Sequence, residues 1–127
     1  MLDQSKILLV EDDPMVVKMY KNKLTREGFS LALAFNGEEG LKALKKDRPD
    51  IILLDIMMPK MNGFETLKNI KADPDFKNIP VVILTNLGDR SEDIKKSKEL
   101  GAEDYWVKVN MPLKELATRI KDILAKK

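Results

Sequence analysis

Asp50-Ile51-Ile52-Leu53-Leu54-Asp55, with Met58-Pro59 shortly after it and Gly63 eight residues past Asp55, is the stretch whose reading decides the fold. Four consecutive apolar residues are too few for a helix, and half of them are β-branched. They read as a strand buried on both faces, as in a parallel sheet, with Asp55 delivered to its carboxyl end. Three other runs end in the same way. Lys6-Ile7-Leu8-Leu9-Val10 leads into Glu11-Asp12-Asp13, Val81-Val82-Ile83-Leu84 into Thr85, and Asp104-Tyr105-Trp106-Val107 into Lys108. Acids, a hydroxyl and an ammonium gathered at the tips of parallel strands point to a site for a metal ion and a phosphoryl group.

Helical periodicity follows each strand. The first helix starts at Pro14, a residue favoured at a first helical position, with Asp13 as its cap; Val16, Met19, Tyr20 and Leu24 face inward and Gly28 ends it. A second strand is predicted over 31–35, and a second helix over 38–46 packs on Leu41 and Leu44, with Pro49 preventing its continuation. A third helix covers 63–72, with Phe64, Leu67 and Ile70 at core spacing. The fourth, over 91–100, offers only Ile94 and Leu100 as strongly apolar residues and is weakly anchored. The fifth spans 112–125 on Leu113, Leu116, Ile120, Ile123 and Leu124. Five strands alternating with five helices through right-handed crossovers give an α/β fold with an open, doubly wound parallel sheet. In the flavodoxin-like order 2-1-3-4-5, the first and third strands are neighbours at the switch point where ligands bind. Glu11, Asp12 and Asp55 then meet.

The totals narrow the chemistry. A chain of 127 residues is one domain, expected over 1–127 without a separate output domain, and buries about two thirds of its unfolded surface. It has neither Cys nor His, which excludes disulfides, zinc sites and imidazole acid/base chemistry, so any metal is a hard cation held by oxygen. No apolar run approaches the roughly 18 residues of a membrane span, and Met1-Leu2-Asp3-Gln4-Ser5 lacks the regions of a signal peptide; a cytoplasmic location is the expectation. The net charge of +2 comes from 23 basic and 21 acidic residues spread along the chain. The basic residues cluster only in pairs such as Lys45-Lys46 and Lys95-Lys96, so no direct nucleic-acid partner is expected.

The acidic pair Glu11-Asp12, Asp55 with Met-Pro and Gly at set distances, Thr85, and Lys108 with Tyr105 three residues before it resemble, in this order and at strand ends, a response-regulator receiver domain over essentially the whole chain. The resemblance implies a phosphoacceptor in two-component signalling rather than a turnover enzyme. It makes Asp55 the acceptor of a phosphoryl group from a histidine kinase or phosphotransfer protein. It makes Asp12, Asp55 and the backbone carbonyl of Met57 ligands of Mg²⁺ (or Mn²⁺), with Glu11 acting through a water. It gives Thr85 and Lys108 to the phosphoryl oxygens and Tyr105 to a rotamer switch, with output through the fourth helix, fifth strand and fifth helix to a downstream protein not named by the sequence. The molecule would be a monomer or a phosphorylation-dependent dimer. Two positions depart from the family pattern. Val109 stands where Pro is common after the site Lys, and the Lys108–Val109 bond is expected to be trans, since a non-proline cis bond costs about 2.5–4 kcal/mol. Asn86 replaces the small residue usual after the site Thr, and its side chain is expected to narrow access to Asp55.

The residue chemistry agrees. Clustered carboxylates repel one another, and a small divalent ion relieves that cost. Asp13, directly before Pro14, reads as a helix cap rather than a ligand. Tyr105 and Trp106 alternate on a strand, so at least one is core. A phosphohydrolase with an Asp nucleophile would need a second acid two positions on, where Met57 stands. The six glycines form neither common phosphate-binding pattern. A docking adaptor of the same fold, used without phosphorylation, is the alternative reading.

Overall fold

The computed structural model describes residues 5–56, 62–85, 91–108 and 111–126. Among them the elements alternate strictly: β1 (Lys6–Val10), α1 (Pro14–Arg26), β2 (Ser30–Ala34), α2 (Gly37–Lys46), β3 (Ile51–Asp55), α3 (Gly63–Ala72), β4 (Val81–Thr85), α4 (Ser91–Glu99), β5 (Asp104–Val107) and α5 (Leu113–Ala125). The strands form one parallel sheet in the order β2-β1-β3-β4-β5. This is the doubly wound, flavodoxin-like architecture expected from the sequence.

Strand alternation divides the core in two. Ile7, Leu9, Ile51, Leu53, Val82, Leu84 and Trp106 pack on one side with Tyr20 and Leu24 of α1 and Leu116 and Ile120 of α5. Leu8, Val10, Ile52, Leu54, Val81 and Ile83 pack on the other with Leu44 of α2 and Leu67 and Ile70 of α3. Both faces of β3 and β4 are therefore buried, which is why their sequences are runs and not alternations.

Local chemistry sets the element ends. Asp13 accepts from the Met15 N–H at 2.9 Å and caps α1, as its place before Pro14 implied. Asn36 caps α2 by accepting from the Glu39 N–H, and the Glu39 carboxylate reaches back to accept from the N–H of Phe35, one residue before the cap. That bond takes Phe35 out of the sheet, so β2 stops at Ala34 and the expected strand end at Phe35 is corrected. Met19 is corrected as well, being 47% exposed. The buried stripe of α1 runs through Val17, Tyr20 and Leu24, and Met19 lies outside it. Helix α4 ends at Glu99, with Gly101 in the left-handed region at φ 97°.

Helix α4 is the loosest described helix in its packing. Its one buried residue is Ser97, whose hydroxyl donates to the Ile94 carbonyl at 2.8 Å, while Ile94 itself is half-buried. It also touches α3 through the Lys96 ammonium, 4.6 Å from the centre of the Phe64 ring. Amide exchange in native protein should therefore be faster over Ser91–Glu99 than over α1 or α5. Lys96→Gln should raise it about two- to fivefold, corresponding to the roughly 0.5–1 kcal/mol of an exposed cation–π contact. Equal protection in all three helices would contradict this account of α4.

Candidate functional site

Because β1 and β3 are neighbours, Val10 lies opposite Leu54 and the residues that follow them meet at the carboxyl edge of the sheet. Glu11 extends the β1 ladder, its N–H donating to the Ala34 carbonyl at 2.9 Å. One carboxylate oxygen each from Glu11, Asp12 and Asp55 falls within 4.8 Å of the others. Glu11 and Asp55 are 1% and 4% exposed, and Asp12 faces solvent. Lys108 arrives from β5 with its side chain only 8% exposed, and its ammonium donates to Glu11 and, at 3.3 Å, to Asp55. The backbone N–H of Asp13 donates to the second Glu11 oxygen at 3.1 Å. Asp13 caps and orients; its own carboxylate is turned to the helix.

Register explains which groups share the site. Asp55 pairs with Leu84, and Leu84 with Trp106, so Asp55 lies on the α1/α5 face of the sheet, as do Glu11 beyond Leu9 and Lys108 beyond Trp106. Thr85 pairs with Val107 and Ile83 with Tyr105, which places Thr85 and Tyr105 on the opposite, α3 face. Thr85 is fully buried, one residue beyond the register partner of Asp55. Tyr105 is half-buried against the second core cluster with its hydroxyl shielded from solvent, while Trp106 is buried in the first. Both aromatics are thus core contacts, on opposite faces.

Burial dominates the electrostatics. It pushes the Glu11 carboxyl up from 4.5 to about 7, against the Lys108 hydrogen bond that lowers it and with the Asp55 charge that raises it further. Tyr20, on the buried side of α1, is raised to about 12 by burial and then by the charges of Glu11 and Asp55. Sequence reading assigned Tyr20 to the core alone and gave Lys108 only to a phosphoryl group. The missed signal was the buried acid pair itself, which draws in the nearest cation. Three oxygen-bearing acids with no nitrogen or sulfur ligand suit a hard divalent ion, and Mg²⁺ fits this donor set. Met57, Asn86 and the Lys108–Val109 bond, each singled out in the sequence, lie outside the described residues.

The model of the response regulator receiver domain matches residues 7–121. The chain belongs to the response-regulator receiver family. Receiver domains of this kind serve two-component signalling and bind Mg²⁺ at an acidic pocket. Among its relatives, the "Probable transcriptional regulator ycf27" of Guillardia theta is 39% identical over 121 residues, covering 95% of this chain and 46% of its own. The "DNA-binding response regulator MtrA" of Mycolicibacterium smegmatis is 38% identical over 118 residues, covering 93% of this chain and 50% of its own. The receiver thus spans about half the length of the curated relatives it matches. The chemotaxis protein CheY4 of Vibrio cholerae superposes with a TM-score of 0.88 at 28% identity, covering 94% of this chain and 98% of that one. Among the described residues, no helix is long and apolar enough to cross a membrane.

The raised Glu11 value has a defined consequence for stability. Between pH 4.5 and about 7 the unfolded receiver has released this proton and the folded one keeps it, so stability falls as pH rises through that window. Glu11→Gln removes this term. The melting temperature of metal-free Glu11→Gln, relative to the parent, should therefore climb from pH 4.5 to pH 7 and level off above. A difference independent of pH in parallel thermal melts would show that Glu11 ionises normally in the fold.

Proposed function

We propose that this receiver accepts a phosphoryl group on Asp55 from a histidine kinase or phosphotransfer protein, with Mg²⁺ held by Glu11, Asp12 and Asp55, and relays the event through α4, β5 and α5 to a protein partner. The convergence of those three acids, two of them paired with Lys108, is the observation that carries the reading. An Asp55 oxygen attacks phosphorus, the new O–P bond forms, and the P–N bond to the donor imidazole breaks. Bound Mg²⁺ neutralises charge on the phosphoryl oxygens, where phosphoryl transfer depends mainly on positioning and electrostatics. Lys108 orients the Asp55 side chain before transfer, and its ammonium is a point charge suited to a phosphoryl oxygen afterwards. Glu11 fixes that ammonium from the side facing β1. The carbonyl of Met57 completes the expected ligand set.

The donor side is supported by the exposed apolar residues. Met15, Met19 and Phe35 are the exposed large hydrophobics among the described residues; Met15 and Met19 lie on α1, and Phe35 directly follows β2. Val16, Met19, Tyr20, Met111 and Leu113 line a groove that reaches Lys108, into which a partner's apolar side chains would fit. On the output side, phosphorylation adds about −1.5 to −2 charges at Asp55. Thr85 and Tyr105 share the other face of the sheet, so a Thr85 drawn toward the phosphate leaves space for Tyr105, and the weakly packed α4 yields.

The ion pairs of Lys108 favour a second reading too. An ammonium that already balances Glu11 and Asp55 suits an adaptor that docks partners without phosphorylation. Intact-mass measurement after incubation with a small phosphodonor and Mg²⁺ separates the two. One added phosphoryl group, absent in Asp55→Asn, is the expected result. A mass unchanged in the parent protein would leave the adaptor. In Mg²⁺ titrations, Asp12→Asn should weaken binding strongly and Asp13→Asn only slightly, because Asp13 is spent on the α1 cap. Equal losses would reassign the ligand.

A further inference from the structure

The start of α3 is seated on the backbone of the residue that carries the chemistry. Gly63, the first residue of the helix, is buried, and its N–H donates to the Ile56 carbonyl at 3.2 Å. A Cβ at this position would stand 2.5 Å from the Ile56 Cα, 2.6 Å from the Asp55 carbonyl oxygen and 2.9 Å from the Ile56 Cγ2. Two of those three atoms are backbone, so no side-chain rotation relieves the overlap; either α3 retreats or the Asp55–Ile56 peptide moves. Ile56 is also tied to β4, its N–H donating to the Leu84 carbonyl at 3.3 Å. The Asp55–Ile56 peptide is thus gripped between β4 on one side and the first turn of α3 on the other. Glycine is required here for close approach and not for a left-handed backbone, since the positive-φ glycines among the described residues are Gly28 and Gly101.

We infer that Gly63 is a positioning residue: by admitting α3 to backbone contact, it fixes the Asp55–Ile56 peptide and so aims the Asp55 carboxylate at Lys108 and the metal position. This rests on the reading of Asp55 as phosphoacceptor. Asn62 supports the same contact, because its side chain accepts from the Glu65 N–H at 3.0 Å and its carbonyl accepts from Thr66, locking the first turn in place.

Gly40 provides the control. It too is a buried helical glycine, but a Cβ there meets the Val10 side chain at 3.1 Å and no backbone of the acid site. Gly63→Ala and Gly40→Ala would be compared at a temperature where circular dichroism shows both fully folded, by Mg²⁺ titration and by mass after incubation with a small phosphodonor. Both variants should melt earlier. Only Gly63→Ala should lose Mg²⁺ affinity, on the order of tenfold, and phosphorylation rate, about a hundredfold. Should Gly63→Ala fail to fold, Asn62→Ala loosens the same turn without adding volume and should weaken both readouts in the same direction while leaving the fold intact. Parent-like Mg²⁺ binding and phosphorylation in folded Gly63→Ala, or in Asn62→Ala where that variant replaces it, would overturn the role of Gly63 and leave the acceptor reading standing. A parent protein that takes no phosphoryl group would sink the acceptor reading instead, and the Mg²⁺ titration alone would then decide whether Gly63 aims the carboxylate.

Discussion

A buried ammonium between two buried carboxylates is the constraint on which this receiver is built. Glu11 and Asp55 end adjacent strands, so the fold forces them together at a mouth from which water is largely excluded. Two such charges alone would repel, and burial would neutralise one of them. Lys108 answers from the far edge of the sheet, two strands beyond β3, contacting both. Removing one member of a buried charge group costs far more than the group itself contributes, since the remainder is left uncompensated. The three residues therefore act as a unit, and the strand order that brings β5 within reach of β1 is part of the site. The Glu11 carboxyl is raised chiefly by burial and further by the Asp55 charge, against the hydrogen bond from Lys108. A divalent cation is the natural completion.

Strand parity then assigns the work. The pairs Asp55–Leu84 and Leu84–Trp106 keep the acid site on the α1/α5 face, whereas Thr85 and Tyr105 follow Ile83 onto the α3 face. Thr85 stands beyond Leu84 at the top of the strand next to Asp55, so in the proposed relay it is the residue between Asp55 and Tyr105. The sheet is here the partition between chemistry and response. Its period of two residues makes that partition a direct outcome of the alternating sequence Ile83-Leu84-Thr85 against Tyr105-Trp106-Val107.

Much of this was legible from the residues. The runs Ile51–Leu54 and Val81–Leu84 read as doubly buried strands, as they are, and the acids and Lys108 at strand ends read as neighbours, as the register makes them. The helix starts at Pro14 and Gly63 were legible because caps and first-turn residues are local chemistry. Three features were not. Met19 has the same apolar character as Val17 and Tyr20, and only the angle of α1 on the sheet decides which of them is covered. Phe35 looked like a strand end until the Glu39 carboxylate, four residues on, took its N–H. The ion pairs of Lys108 depend on a charge balance across 97 and 53 residues of chain, a distance over which sequence pattern carries no information.

The distribution of packing also explains where a signal can go. β3 and β4 are buried along their whole length on both faces, and close-packed cores shift between discrete arrangements more readily than they deform. The Asp55–Ile56 peptide is held on two sides as well. A new charge at Asp55, as proposed, would thus meet rigid neighbours in the sheet and at the start of α3, and the displacement it demands would appear where fewest contacts resist it. Helix α4 meets that description, with Ser97 alone fully covered and Ile94 half-covered. Reversing a population from 1:99 to 99:1 takes about 5.5 kcal/mol of differential stabilisation. A helix whose contacts are the buried Ser97, the half-buried Ile94 and the Lys96–Phe64 contact is more easily moved within such a range than the fully buried strands β3 and β4. Under the proposed relay, rigidity around Asp55 and looseness at α4 would be one property: the first would deny a perturbation any local escape, and the second would provide its outlet.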